Sequence, residues 1–143
     1  WAAAGGGKVL QVVGAATNSG SSTATSSTSF VTTGISGTIT PSATSSKILV
    51  IISTAGSSEA AGRALYWTVY RGSTNLGNAA NGFGHLFNDN DRVRASIHMN
   101  FLDSPSTTSA VTYTIYFRSN ISSNVELPAD AQMEHITLME IGA

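Results

Sequence analysis

The sequence predicts an all-β domain, an antiparallel sandwich or jelly roll, on three observations. Apolar and polar residues alternate with a period of two along several stretches, the spacing that places successive side chains on opposite faces of a strand. No run of ten or more residues sustains helical spacing. Eight candidate strands, separated by turn-forming clusters, fall within 143 residues, a density that suits one sandwich domain.

Residues 1–7, WAAAGGG, predict a flexible joint to a preceding segment, because a glycine run holds no fixed backbone; residues 8–143 form a single domain. The first strand is expected over Lys8–Val13. Asn18–Ser29 is rich in hydroxyls with no apolar anchor before Phe30, and reads as an exposed connection. Ser29–Thr33 and Gly37–Thr40 follow as short strands, then Lys47–Thr54 and Leu65–Arg71. Arg92–Phe101 alternates Val93, Ala95, Ile97, Met99 and Phe101 with Arg94, Ser96, His98 and Asn100. In the stretch LDSPS, Asp103, Ser104, Pro105 and Ser106 predict a turn, since Pro fixes φ and removes a donor while Asp and Ser bond back to nearby backbone. Val111–Arg118 resumes the alternation, so the two strands around the turn read as one long hairpin, and Met133–Ile141 closes the domain. The expected core is Ile48, Val50, Ile52, Val93, Ile97, Val111, Tyr113, Ile115 and Phe117.

Two of these strands do not alternate. Ile48, Leu49, Val50, Ile51 and Ile52 are apolar on both faces, and Leu65, Tyr66, Trp67, Val69 and Tyr70 nearly so. A lone antiparallel sandwich needs only one apolar face per strand. With no helix to cover the second face, the simplest cover is another copy of the chain in a closed homo-oligomer. Composition agrees: charged residues are 10%, against about a quarter in typical soluble domains, while Ser and Thr make up 38 of 143. Such a surface is either clothed in hydroxyls and amides or hidden by other subunits.

Several classes of function are disfavoured. Cysteine is absent, which removes disulfides, thiolate metal sites and a cysteine nucleophile. A net charge of −1 with scattered cations offers no stripe for nucleic acid. The longest aliphatic run, Ile48–Ile52, is far short of the roughly 20 residues of a membrane helix, so no membrane insertion is expected. His85, His98 and His135 stand at none of the short spacings that pair metal ligands. His98 serves either as a hydrogen-bonded structural histidine or, in a ring around a symmetry axis, as an ion ligand. Asp89 and Asp91 resemble a fragment of a calcium loop, but residues 92–101 hold no later carboxylate. No G-x-S-x-G or other catalytic signature is present, so no catalytic residue, metal or cofactor is assigned and a glycan-cleaving enzyme is the least favoured reading.

Binding fits better. Asn75–Asp91 is rich in amides and glycines and carries Phe83, His85 and Phe87, which can stack on a sugar ring or an amphipathic surface. Asn88 and Asp89, with Asn124 from the irregular stretch Ser119–Asp130, supply hydrogen bonds. These six are the candidate receptor-binding residues, and the two stretches are expected to share the outward tip of the sandwich.

Four phrases together, GKVLQVV at Gly7–Val13, GTITPSATSSKILVIIS at Gly37–Ser53, LDSPSTTSAVTYTIYFRS at Leu102–Ser119 and ITLMEI at Ile136–Ile141, resemble a β-rich domain near the C-terminus of tail-fibre and related virion proteins of tailed bacteriophages, of marine phage and cyanophage type. The resemblance covers nearly the whole chain in the same order. It implies a β-rich knob at the tip of a homotrimeric fibre, non-enzymatic, in contact with other virion proteins and with a host-surface glycan or protein. It also implies an extracellular particle assembled in the host cytoplasm. Capsid decorations and head fibres carry similar domains and form the alternative setting.

Overall fold

The alternating stretches form strands in the computed structural model, which describes residues 7–15 and 21–142. Residues 1–6 of the expected joint and residues 18–20 of the hydroxyl-rich stretch lie outside the described residues. The strands are β1 (Val9–Ala15), β2 (Ala24–Thr25), β3 (Val31–Ile39), β4 (Lys47–Ser58), β5 (Arg63–Arg71), β6 (Thr74–Asn75), β7 (Gly84–Asn88), β8 (Val93–Asp103), β9 (Val111–Ser119), β10 (Val125–Glu126) and β11 (His135–Ile141). A single 3-10 turn, Ala129–Ala131, precedes the last strand. Every pairing is antiparallel.

Two sheets result. In the first, β1, β11, β4 and β8 lie side by side, and β10 with β2 continues the row beside the far half of β4. In the second, β3, β9 and β5 lie side by side, with β7 and the short β6 sharing the outer edge of β5. Between them sits the core, where Ile48, Val50, Ile52, Ile97, Tyr113, Ile115 and Phe117 are all buried, as expected from their spacing. Each fully buried aliphatic or aromatic side chain of this kind contributes about 1.5–3 kcal/mol. Val111 packs at the margin of that cluster, and Val93 is half-buried.

Three local expectations change. Residues 29–33 and 37–40 are not two strands but the two halves of β3, joined through an irregularity between Thr32 and Ser36. Gly34 permits it with φ +87, a left-handed conformation costly for a side chain. The middle of the expected loop 75–91 is strand β7. The supposed hairpin of β8 and β9 does not exist: β8 pairs with β4 in the first sheet, and β9 pairs with β3 and β5 in the second. Period-two alternation is the same in both arrangements, because either way one face of each strand meets the core.

The LDSPS turn therefore carries the chain from one sheet to the other. Asp103 does not bond back to the turn backbone. Its carboxylate accepts Arg71 Nη1 at 2.9 and 2.7 Å and the Tyr113 hydroxyl at 2.7 Å, joining the end of β8 to β5 and β9 across the mouth of the core. Burial pushes the Tyr113 hydroxyl well above its ordinary pKa, and the adjacent Asp103 carboxylate adds to the effect, so it stays a donor. Ile48 lies between Asp103 on β8 and Glu140 on β11, so two acids stand in one rank at this end. Glu140 is fully buried yet accepts Ser42 N–H at 2.7 Å, Ser42 Oγ at 2.6 Å and Gln11 Nε2 at 2.6 Å.

Removing the Asp103 acceptor leaves a partly buried guanidinium and a buried hydroxyl without their partner. Asp103→Ala should cost about 3 kcal/mol and lower the melting temperature by roughly 10 °C, while Tyr113→Phe should cost about 1 kcal/mol. Thermal unfolding at one fixed protein concentration measures both, and equal melting of Asp103→Ala and wild type would contradict the clamp.

Candidate functional site

The outer face of the second sheet holds a ladder of side chains. His85 on β7, Tyr66 on β5 and Arg118 on β9 occupy paired positions, and Phe30, just before β3, completes the rank. The His85 and Tyr66 rings stack with centroids 5.3 Å apart; the Arg118 guanidinium lies 4.3 Å from the Tyr66 centroid and 5.5 Å from that of Phe30. Such cation–ring contacts hold a planar guanidinium flat against aromatic faces. Tyr70 and Tyr116, on the same outer face, pack against each other with centroids 4.1 Å apart.

The loop from Asn78 to Gly82 folds over this face. Asn78 and Gly82 bridge each other through two backbone hydrogen bonds of 3.0 and 2.8 Å, and the Asn78 side chain caps Ala80 and Asn81 N–H at 2.9 Å each. Gly82 has φ +63 and lies against the Trp67 carbonyl, where a Cβ has no room. Arg118 fastens the loop: Nε and Nη2 both donate to the Ala80 carbonyl, at 3.1 and 2.5 Å, while Nη1 donates to the carbonyls of Ser119 at 2.9 Å and Thr28 at 3.4 Å. The result is a cleft of about 440 Å³ with Thr28, Ser29 and Phe30 on one wall, Ala79 and Ala80 on the other, and Tyr70 and Arg118 between. It offers an aromatic face, hydroxyls and a cation; no carboxylate lines it.

The six sequence candidates scatter relative to this cleft. His85 belongs to the ladder. Phe83 stacks on Phe101 of the opposite sheet, 4.8 Å between centroids, and closes the side of the sandwich. Phe87 is exposed opposite Ala64 on the edge strand. Asn88 is buried and its amide is committed, Nδ2 to the Ser58 carbonyl at 3.2 Å and Oδ1 to Asn90 N–H at 3.1 Å, so it has little left for a ligand. Asp89 and Asn124 are exposed and lie toward one end of the sandwich, since Asn88 bonds Ser58 and Val125 pairs with it. Tyr66, Tyr70, Tyr116, Arg118 and Phe30 were not among the candidates. The apolar character of Tyr66 and Tyr70 predicts a second subunit as their cover; instead Arg118, His85 and Tyr116 pack on them from within the chain.

On the first sheet, His135, Ser53 and His98 share one row, with both histidines exposed. Among the described residues, no group of three His, Asp or Glu is placed to hold a metal ion. An ion cluster lies farther along: Arg92 meets Glu59 at 2.8 Å, Asp130 at 3.3 Å and Glu126 at 3.7 Å, and Arg94 also pairs with Asp130. No family model matches the chain, and no curated protein matches it.

Two buried acids are strongly perturbed, and Glu134, just before β11, is one of them. It is fully buried; Thr54 Oγ1 donates to one carboxylate oxygen at 3.1 Å and the other oxygen has no partner. Burial pushes its carboxyl up to about 7, against the smaller opposing pull of Thr54. Glu140 is the reverse: burial alone would raise it, but the hydrogen bonds from Ser42 and Gln11 prevail and hold it down at about 2.

The unfolded chain releases the Glu134 proton near 4.5 and the folded chain keeps it to about 7, so this group stabilises below pH 4.5 and that stability is lost as pH rises to 7. Glu140 stabilises above 4.5, and its contribution fades as pH falls toward 2. Glu134→Gln should therefore match wild type near pH 4.5 and exceed it at pH 8 by on the order of 3 kcal/mol. Parallel pH profiles of melting temperature for the two proteins would contradict this.

Proposed function

We propose that the chain is a non-enzymatic structural module of a virion appendage, a tail-fibre or fibre-tip domain that trimerises through the first sheet and turns its second sheet to the surroundings. The carrying observation is a row of apolar side chains on the outer face of the first sheet. Val12, Met139, Leu49 and Leu102 stand in register across β1, β11, β4 and β8, the first and last of them 56% and 51% exposed. Ile51, Ile141 and Val9 adjoin them, giving a continuous apolar patch of the kind that marks an interaction surface.

Beyond the exposed row of His135, Ser53 and His98, the far end of that face is covered within the chain. Residues 129–132 pass over the far end of β4, where Ala129 and Ala55 are buried and Asp130 reaches Arg92 and Arg94. The bare half is what a second copy would cover.

The jelly-roll reading is supported by the strand order. Taking the eight longer strands in chain order, the first, eighth, third and sixth form one sheet and the second, seventh, fourth and fifth the other, the order of two Greek keys. The resemblance to trimeric phage fibres supplies the number three and the setting; low charge and an apolar outer face suit it.

Light scattering should give three times the 14.7 kDa subunit at micromolar concentration. Leu49→Asp and Leu102→Asp should each raise the dissociation constant at least a hundredfold, since a carboxylate buried in such a contact costs about 3 kcal/mol. Trp67 packs against the core, so it is no probe of the interface. A soluble wild-type monomer at that concentration overturns the assembly.

A further inference from the structure

We propose that the cleft on the second sheet binds a pyranose ring carrying a carboxylate or a sulfate, with Tyr70 as the stacking face and Arg118 as the counter-charge. The Tyr70 ring is half-buried and buttressed by Tyr116, so its exposed side is fixed in direction. A flat, ordered aromatic face beside hydroxyls is the arrangement that meets the C–H face of a sugar and the hydroxyls at its rim. Here the hydroxyls are those of Thr28 and Ser29 on the cleft wall.

The charge requirement follows from Arg118. It makes four hydrogen bonds, all to backbone carbonyls, and among the described residues no carboxylate pairs with it. A guanidinium has five N–H donors, so one on Nη2 is left for a ligand. Held between Tyr66 and Phe30, the cation is fixed in place with its charge unneutralised, and an anionic oxygen entering the cleft gains a charge-assisted hydrogen bond. A neutral sugar gains only the stacking.

Location adds a consequence that rests on the trimer proposed above. The cleft is on the outer face of one sheet and the apolar row on the outer face of the other, so assembly through the row leaves three clefts facing outward. Simultaneous engagement of a repetitive polymer then raises retention by roughly 10² to 10⁴ over a single site.

The test uses the full chain on surfaces bearing polygalacturonate, dextran sulfate or neutral dextran, with mass by light scattering and circular dichroism on the same samples. Retention is expected on one or both anionic polymers and not on dextran, and the polymer retained identifies carboxylate or sulfate as the source. Tyr70→Ala should weaken it at least tenfold with mass and spectrum unchanged, Tyr70→Phe should preserve it, and Lys8→Ala, equal in charge to a lost arginine, should leave it intact. Arg118→Lys, which keeps the charge but not the fork, should weaken it. Equal retention on dextran, equal retention by Tyr70→Ala, or none on any surface overturns the proposal. Absence of binding by a trimer leaves the assembly standing, and retention by a monomer fells the assembly alone.

Discussion

A sandwich of two sheets has four faces and can bury only two against each other, and this chain has few charges with which to dress the other two. The rest of the structure follows from how those outer faces are covered. On the second sheet the cover is internal: Arg118 lies flat between Tyr66 and Phe30 and fastens the Asn78–Gly82 loop as one wall of the cleft beside Tyr70. Across the far end of the first sheet it is internal too, through residues 129–132 and the Asp130 pairs to Arg92 and Arg94. The half bearing Val12, Met139, Leu49 and Leu102, with the row of His135, Ser53 and His98 beside it, is left without cover within the chain among the described residues. The proposed assembly is the remaining way to remove that surface from water, a gain roughly proportional to the apolar area covered.

The inner faces meet a related constraint at their ends, where strands leave the core and water can enter. Two acids close the end where Asp103, Ile48 and Glu140 share a rank. Asp103 is satisfied by Arg71 and Tyr113 from the opposite sheet, and Glu140 by Ser42 and Gln11, so each joins separate elements instead of standing as an isolated charge. Glu134, with one donor, is the incomplete member, and its raised pKa is the physical sign of that.

Much of the fold was legible because burial on one face of a strand writes itself as period two. The class, most strand positions and the core residues Ile97, Tyr113, Ile115 and Phe117 come directly from that pattern. Partnership does not: Phe101 and Tyr113 read alike whether their strands pair or face each other across the core, and the pairing of β8 with β4 and of β9 with β3 and β5 reveals the crossing. Strand β7 was hidden because Gly82, Gly84 and the amides around it have the composition of a loop, although His85 and Phe87 keep the alternation. The cleft was the least legible, since Phe30, Tyr66, Tyr70, Tyr116 and Arg118 come from two strands, β5 and β9, and the segment before β3. The one available signal was that Tyr66 and Tyr70 were too apolar for an outer face, which pointed to a cover without saying that Arg118 provides it.

The central claim is an orientation, first sheet inward and second sheet outward, and the absence of native cysteine makes it directly measurable. Single cysteines at Ile51, within the apolar patch, and at Thr114, on the outer face of the second sheet, place one thiol on each side of the sandwich. Under mild oxidation at low protein concentration the account predicts rapid disulfide-linked pairs from Ile51→Cys and none from Thr114→Cys. Linkage through Thr114→Cys with Ile51→Cys unreactive would place the contact on the wrong sheet and contradict it.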